Sequence, residues 1–303
     1  MRILRQGASL TVQTPAKLNL SLKILGRRAD GFHDLQTCMV ALRLCDILEF
    51  SPVQNADIRL SLFDKSPVIS AAASIPTDER NLVIRAAELL RSVTGCQRGA
   101  NIRLHKRIPS EAGLGGGSSD AAAALIGLNE LWDLRLASKE LHGLAAQLGS
   151  DVNFFLDSHA AAICTGRGEQ IAGFPLLRQI PMVILKPLTG LSTAEVFRMW
   201  SQHPRTTGSG VESHEFVSVI NSPNLNNISP LLVNDLQLPA EELNPQIQTA
   251  LIELRRREVV AAAMTGSGSA CFGICRTRRQ ALHVAGSLRQ QRVGQVWATT
   301  TGV

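Results

Sequence analysis

Apolar and polar side chains alternate along residues 17–24, which read Lys-Leu-Asn-Leu-Ser-Leu-Lys-Ile. A period of two is typical of a half-buried β-strand with one face on a core. We therefore expect the apolar side chains to face a core, and Lys17 and Asn19 to share the opposite face near the start of the strand. The same reasoning predicts strands over 8–14, 36–50, 57–62 and 101–108.

Helical spacing of apolar residues predicts a helix over 81–94, and Gly95 directly after it suits the left-handed conformation that ends many helices. A second helix is expected from Ala121 to Trp132, and a third over 138–148. Further along the chain, the pattern predicts a hairpin of 160–164 with 167–172, helices over 242–256 and 278–291, and strands over 180–186, 259–264, 270–275 and 295–300.

Strands and helices occur in both halves of the chain, and the second half is the more helical. This arrangement predicts an α+β protein of two parts. We place the boundary near residue 172, which gives domains of residues 1–172 and 173–303. Segments rich in Pro, Thr, Gly, Ser or Asn predict loops over 204–212 and 221–230.

The 303 residues carry a formal net charge of +6 and are 45% hydrophobic, which excludes a mostly disordered chain. A basic protein favours anionic partners, such as nucleic acid or phosphorylated metabolites. No apolar stretch is long enough to span a membrane, and no signal peptide is expected. Six scattered cysteines without a Cys-x-x-Cys pair predict reduced thiols in a cytoplasmic protein and no zinc site.

A glycine-rich loop, Gly113-Leu-Gly-Gly-Gly-Ser-Ser119, stands between a predicted strand and a predicted helix. Glycine allows the backbone to approach a ligand closely, and the N–H groups at a helix start attract anions. The loop therefore predicts a phosphate site. It lacks the lysine of a Walker A loop, and Ser118 occupies the third glycine position of the dinucleotide pattern, so an oxidoreductase is a weak alternative.

Three segments together resemble the motifs of the GHMP small-molecule kinases, in the order of that family. They are Pro15-Ala-Lys-Leu-Asn19, the segment from Pro109 to Ala122, and Thr265-Gly-Ser-Gly268. Segments 26–37, 149–155, 191–197 and 234–237 resemble the branch of the family that acts on a diphosphocytidyl sugar alcohol. The resemblance covers about residues 14–275 and implies a two-domain GHMP kinase fold with the active site in the cleft between the domains.

The resemblance implies transfer of the ATP γ-phosphoryl group, with Mg²⁺, to the 2-hydroxyl of 4-diphosphocytidyl-2-C-methyl-D-erythritol. Asp151 matches the catalytic base of the family, and Lys17 matches the lysine beside it. The implied ATP site comprises Pro109, Ala112, Gly113, Leu114, Gly115, Gly116, Gly117, Ser118 and Ser119. The implied acceptor site comprises Asn19, Phe32, His33, Thr193, Gly266, Ser267 and Gly268.

Other interpretations stay open at this point. One is a GHMP kinase with a mevalonate-type or homoserine-type acceptor, and another is a non-catalytic relative that binds a nucleotide. In each case the expected partners are small molecules rather than nucleic acid or a membrane, and the expected state is a monomer or a weak homodimer.

Overall fold

The computed structural model describes residues 1–64, 75–202, 204 and 213–302. Its first sheet joins seven strands in this described part, in the order β1-β2-β3-β5-β4, with β6 on β3 and β7 on β6. Pairing is antiparallel except between β4 and β5. The strands are β1 Arg2–Gln6, β2 Ser9–Arg27, β3 His33–Val53, β4 Ile58–Asp64, β5 Gly99–Lys106, β6 Ala161–Gly166 and β7 Gln170–Phe174.

Four helices of the described chain accompany this sheet: α1 Leu82–Thr94, α2 Gly116–Leu131, α3 Ser138–Leu148 and α4 Val152–Leu156. Helix α2 is the central one, because the four alanines 121–124 are fully buried and allow close approach to α1 and to β2. Gly127 also allows α2 to pack closely, since a Cβ at this position would lie 2.6 Å from the ring of Phe50. The glycine-rich loop thus opens a helix that is fixed in the core.

The second sheet has the order β11-β8-β10-β9 and is antiparallel throughout. Its strands are β8 Pro181–Lys186, β9 Ala261–Met264, β10 Cys271–Ile274 and β11 Gln295–Thr300. The helices of this half, where described, are α5 Thr193–Gln202, α6 Ser213–Asn221, α7 Gln237–Leu243, α8 Gln246–Arg255 and α9 Arg278–Gln291, with a 3-10 turn at Ser229–Leu231. The first sheet ends at Phe174 and the second begins at Pro181, and the division near residue 172 stays a prediction.

Strand β2 connects the two halves. The side chains of β2 change face at a register shift between Pro15 and Ala16, where Arg43 and Leu44 of β3 have no partner on β2. Before the shift, Leu10 and Val12 lie in the core beneath α1 and α2. After it, the even-numbered apolar residues pack against the second sheet. Lys17 and Asn19 consequently face the start of α2.

Several sequence predictions need correction. The strand over 17–24 exists and its apolar residues face a core, but it is not half-buried: Lys17 is 4% exposed and Asn19 is 3% exposed. The strand is also continuous with the one predicted over 8–14. The prediction of a single helix over 242–256 is wrong. Helix α7 ends before Asn244, and α8 begins after Pro245, because a residue that precedes proline avoids the helical conformation. Helices α4, α5 and α6 were not predicted.

Other predictions are confirmed. Helix α1 ends at Gly95 with φ of 70°, and α3 and α9 have the predicted bounds. The predicted hairpin is β6 with β7. The loop predicted over 204–212 lies outside the described residues, apart from residue 204.

Candidate active site

A cavity of about 950 Å³ lies between the two halves, and both contribute to its wall. Its size is within the range of small-molecule sites. Sixteen of the predicted site residues line it: Lys17, Asn19, Phe32, His33, Pro109, Ala112, Gly113, Leu114, Gly115, Gly116, Gly117, Ser118, Asp151, Thr193, Gly266 and Ser267.

Two predicted residues are not part of the cavity wall. Ser119 is fully buried, and its hydroxyl donates to the carbonyl of Pro15 at 2.5 Å. It therefore anchors α2 to β2 instead of facing a ligand. Gly268 packs away from the cavity, since a Cβ there would lie 2.8 Å from the sulfur of Met264.

The glycine-rich loop has the backbone that its sequence suggests. Gly113 and Gly115 have φ of 70° and 69°, which favours glycine over any other residue. Both also lack room for a side chain: a Cβ at Gly113 would lie 2.3 Å from the carbonyl oxygen of Thr265, and one at Gly115 would lie 2.9 Å from Cγ of Lys17. Gly115 caps the N-terminus of the 16-residue helix α2, where unpaired N–H groups and the helix dipole attract anions.

Lys17 and Asp151 form an ion pair at the cavity wall. The Lys17 ammonium lies 3.2 Å from Oδ2 of Asp151 and donates to Oδ1 of Asn19 at 2.5 Å. The lysine side chain is 5% exposed and that of Asp151 is 29% exposed. The carboxylate is therefore accessible from the cavity, while the cation beneath it is almost fully enclosed.

The loop that follows β9 closes the site from the second half. The backbone N–H of Asn19 donates to Oγ1 of Thr265 at 2.9 Å. The side chain of Asn234 donates to the carbonyl of Gly266 at 2.9 Å, and the hydroxyls of Thr193 and Ser267 lie 2.8 Å apart. The Thr265 hydroxyl donates in turn to the carbonyl of Gly113 at 3.4 Å, which joins the second-half loop to the glycine-rich loop.

Aromatic side chains gather at the other end of the cavity. The His33 ring stacks on Phe197 with centroids 5.2 Å apart and meets the edge of Trp200 at 5.3 Å. Burial, with the nearby charge of Arg27, lowers the pKa of His33 below its ordinary value. Phe32 is 53% exposed at this end. The imidazole is therefore neutral at neutral pH and can both donate and accept hydrogen bonds.

Arg167 was not among the residues predicted from the sequence. It lies between Gly166 and Gly168 in the turn of the β6–β7 hairpin, and its guanidinium carbon lies 4.9 Å from the centre of the Phe32 ring. The neighbouring Gly168 packs near Asp151, since a Cβ there would lie 4.0 Å from its Oδ1. Arg167 thus lies between the aromatic end and the ion pair. Two glycines around an arginine in a predicted hairpin were the signal that could have indicated it.

A buried ionic triad supports the start of α2, and it too was not predicted. The Lys106 ammonium donates to Asp46 at 2.5 Å and to Asp120 at 2.6 Å. Burial alone would lower the pKa of Lys106, but the two carboxylates outweigh it and raise the pKa above its ordinary value. Burial raises the pKa of Asp120, against the opposing effect of Lys106. Because these residues come from β3, β5 and α2, only the folded chain brings them together.

The comparisons with known proteins identify the family of this chain. The families described as GHMP kinases N terminal domain and GHMP kinases C terminal match residues 81–166 and 217–293. A mevalonate kinase structure from Methanococcus jannaschii, 13% identical, has the same fold with a TM-score of 0.69 and covers 99% of this chain. The fold and the cavity thus define a GHMP-type kinase, as the sequence predicted.

Relatives with higher sequence identity show to which branch of the GHMP kinases the chain belongs. The 4-diphosphocytidyl-2-C-methyl-D-erythritol kinase of Pelotomaculum thermopropionicum is 37% identical over 93% of this chain and 94% of its own length. That of Carboxydothermus hydrogenoformans is 34% identical over 91% of each chain. A crystal structure of 4-(cytidine 5'-diphospho)-2C-methyl-D-erythritol kinase aligns with a TM-score of 0.79 at 33% identity and covers 97% of this chain and 99% of its own. The chain belongs to the 4-diphosphocytidyl-2-C-methyl-D-erythritol kinase family, and it is an ATP-dependent small-molecule kinase.

Two kinds of feature are absent from the described residues. No helix there is long and apolar enough to cross a membrane. No group of three or more His, Cys, Asp or Glu side chains there is arranged to hold a metal ion.

Proposed function

We propose that this protein transfers the γ-phosphoryl group of ATP to the 2-hydroxyl of 4-diphosphocytidyl-2-C-methyl-D-erythritol, with Asp151 as the general base. The observation that carries this proposal is the Lys17–Asp151 ion pair, which lies in the same cavity as the start of α2. Phosphoryl transfer depends on alignment and on neutralisation of charge, and this geometry supplies both.

The ATP phosphates would lie on the glycine-rich loop. Its backbone N–H groups and the N-terminus of α2 neutralise negative charge without a reactive side chain. Asp151 would accept the proton of the acceptor hydroxyl as the hydroxyl oxygen bonds to the γ-phosphorus, while the bond from the γ-phosphorus to the bridging oxygen breaks and ADP leaves. The Lys17 ammonium, enclosed against Asn19, would stabilise the negative charge that develops between acceptor and phosphate.

Mg²⁺ is proposed as the partner of ATP. Ser118, in the first turn of α2, lines the cavity. Oδ1 of Asp120 is buried and has no hydrogen-bond partner among the residues that the structure describes. Because Mg²⁺ takes one or two protein ligands beside phosphate oxygens and water, this small donor set fits it. The ion would supply further neutralisation of the phosphate charge.

The acceptor would lie along the rest of the cavity. Its cytosine would stack on Phe32 or Phe197, with His33 as hydrogen-bond partner at the base edge. Its methylerythritol end would reach Asp151. The diphosphate between them would then lie near Arg167.

Charge balance supports this place for the diphosphate. Four described cationic side chains line the cavity: Lys17, Arg80, Lys106 and Arg167. The first three each have a carboxylate within 4.0 Å, at Asp151, Asp78 and the pair Asp46 and Asp120. Within the described ranges Arg167 has no carboxylate at that distance. The backbone N–H of Phe32 and then the charges of Arg28 and Arg167 lower the pKa of Asp30, so this carboxylate lies near Arg167 without forming a direct ion pair with it. A cation at the cavity wall without a direct ion pair suits an anionic ligand.

The remaining expectations complete the proposal. The two parts divide near residue 172, and the chain works in the cytoplasm as a monomer or a weak homodimer. Its net charge of +6 favours the binding of two polyanionic small molecules, and we expect no nucleic acid or membrane surface as partner.

An acceptor panel tests the proposed function. The purified protein is offered ATP and Mg²⁺ with 4-diphosphocytidyl-2-C-methyl-D-erythritol, mevalonate or homoserine, and the phosphorylated product is measured. We expect the first acceptor alone to react at a substantial rate. If only mevalonate or homoserine reacted, the proposed acceptor would be wrong, but the assignment as a small-molecule kinase would stand. Binding of ATP without any phosphoryl transfer would favour a non-catalytic relative.

A further inference from the structure

Thr37 has a hydroxyl whose two hydrogen bonds have a defined direction. It is 1% exposed, and its Oγ1 lies 2.5 Å from the carbonyl oxygen of Ser21 and 2.8 Å from Nδ2 of Asn19. A carbonyl can only accept, so the hydroxyl proton points to Ser21. The oxygen of Thr37 is then left to accept from the Asn19 amide nitrogen.

This direction decides which end of the Asn19 amide faces Lys17. With Nδ2 held by Thr37, Oδ1 faces the Lys17 ammonium and accepts from it at 2.5 Å. The opposite orientation would place the NH₂ group against the ammonium, donor against donor. The hydrogen-bond chain runs from Ser21 through Thr37 and Asn19 to Lys17, and it ends at Asp151, 3.2 Å from the lysine.

The sheet brings these residues together. Asn19 of β2 pairs with Met39 of β3, and a register shift between Asn19 and Ser21 follows at once. Thr37, two residues from Met39, lies on the same face of β3 and becomes a diagonal neighbour of Asn19. The polar contact is therefore built by strand pairing and not by a local motif.

We propose that Thr37 is a positioning residue for phosphoryl transfer, which acts through the Asn19 amide to hold the Lys17 ammonium at Asp151. This inference rests on the proposed function, since it assigns a task to the same ion pair. Thr37 also lines the cavity, so direct contact with the acceptor is the competing explanation.

The first test replaces the hydroxyl with a methyl group of similar volume. Loss of one buried hydrogen bond, with its partner left unsatisfied, predicts that Thr37→Val lowers kcat about 5- to 30-fold. The KM values for ATP and for the acceptor should stay unchanged, because a positioning residue does not contact the ligands. Thr37→Ser keeps the hydroxyl and should restore most of kcat.

A matched control separates positioning from general stability. Thr301 is fully buried and its Oγ1 accepts from the backbone N–H of Ile180 at 2.9 Å, outside the cavity wall. Thr301→Val removes a comparable buried hydrogen bond and should lower the thermal unfolding midpoint while it leaves kcat unchanged. Equal losses of kcat in the Thr37 and Thr301 valine variants would overturn the inference.

A double-mutant cycle gives the decisive measurement. If Thr37 acts through the amide, Thr37→Val should cause no further loss of kcat in an Asn19→Ala background. Additive losses, or a rise in the acceptor KM with kcat unchanged, would overturn the inference while the proposed function stands. Absence of any phosphorylation by the unmodified enzyme would instead overturn the proposed function, and this inference with it.

Discussion

The Lys17 ammonium lies 3.2 Å from Oδ2 of Asp151, although Lys17 is in the middle of β2 and Asp151 precedes α4. If Asp151 is the base, Asp151→Asn should lower kcat by about 10²- to 10⁴-fold, the range for general base catalysis. ATP binding should be nearly kept, because the proposed phosphate site is the glycine-rich loop and not Asp151. Steady-state kinetics and calorimetry with ATP measure the two effects.

Asp157→Asn is the control for this change. Asp157 ends α4, pairs with His142 and is not part of the cavity wall, so the variant should keep normal kcat. Near-normal turnover in Asp151→Asn would remove this carboxylate from the mechanism.

Gly115 tests the assignment of the phosphate site. Its φ of 69° opposes a side chain, and so does Cγ of Lys17, which would lie 2.9 Å from a Cβ at this position. Gly115→Ala should therefore weaken ATP binding about tenfold or more, and Gly115→Val should abolish it. In Gly143→Ala, a Cβ meets nothing within 4 Å, so ATP affinity should stay normal. Normal ATP affinity in both Gly115 variants, measured by calorimetry, would contradict the loop assignment.

Arg167 tests the place of the acceptor diphosphate. Loss of charge-assisted hydrogen bonds should make Arg167→Met bind CDP about 10- to 100-fold more weakly. Cytidine, which lacks phosphates, should bind as before. Arg279→Met removes the same charge from the exposed face of α9 and should change neither affinity. Equal weakening for CDP and cytidine would assign Arg167 to the base instead.

The triad of Lys106, Asp46 and Asp120 predicts a stability effect. Asp46 is fully buried and also accepts from the backbone N–H groups of Arg107 and Ile108, at 2.6 and 2.9 Å. Asp46→Asn should lower the free energy of unfolding by about 3 kcal/mol or more, because it leaves part of a buried charge uncompensated.

Denaturant unfolding measures this effect. Asp133→Asn is the matched control, since Asp133 forms an exposed ion pair with Arg135 and has a left-handed backbone that asparagine also tolerates. A similar, small effect of both changes would show that the triad adds little to stability.

Local properties were predicted well from the sequence. The glycine-rich loop has left-handed backbone at Gly113 and Gly115. Glycine is the residue that most readily adopts this conformation, so the residue type alone indicates it. The same holds for the end of α1 at Gly95. Most proposed site residues also belong to short motifs, so their resemblance to a family could be seen without a structure.

The burial of the polar face of β2 could not be predicted in this way. Alternation reports that the two faces of a strand differ, but not what packs on the polar one. Here Asp151, which precedes α4, and the loop after β9 contact it, so Lys17 and Asn19 are buried with specific partners. Pro245 could have indicated that the predicted helix is interrupted. The helical spacing of apolar residues on both sides of it favoured a single helix instead.

By itself, the sequence determined the fold class, the backbone of the glycine-rich loop and most of the residues that line the cavity, because backbone requirements and motif order act over a few neighbouring positions. Only the tertiary structure decided that Asn19 donates to Thr37, that Arg167 lies over Phe32, and that Lys106 joins two carboxylates. Each of these contacts joins segments far apart in the chain. Their distance and direction depend on strand register and helix packing, which no single segment specifies.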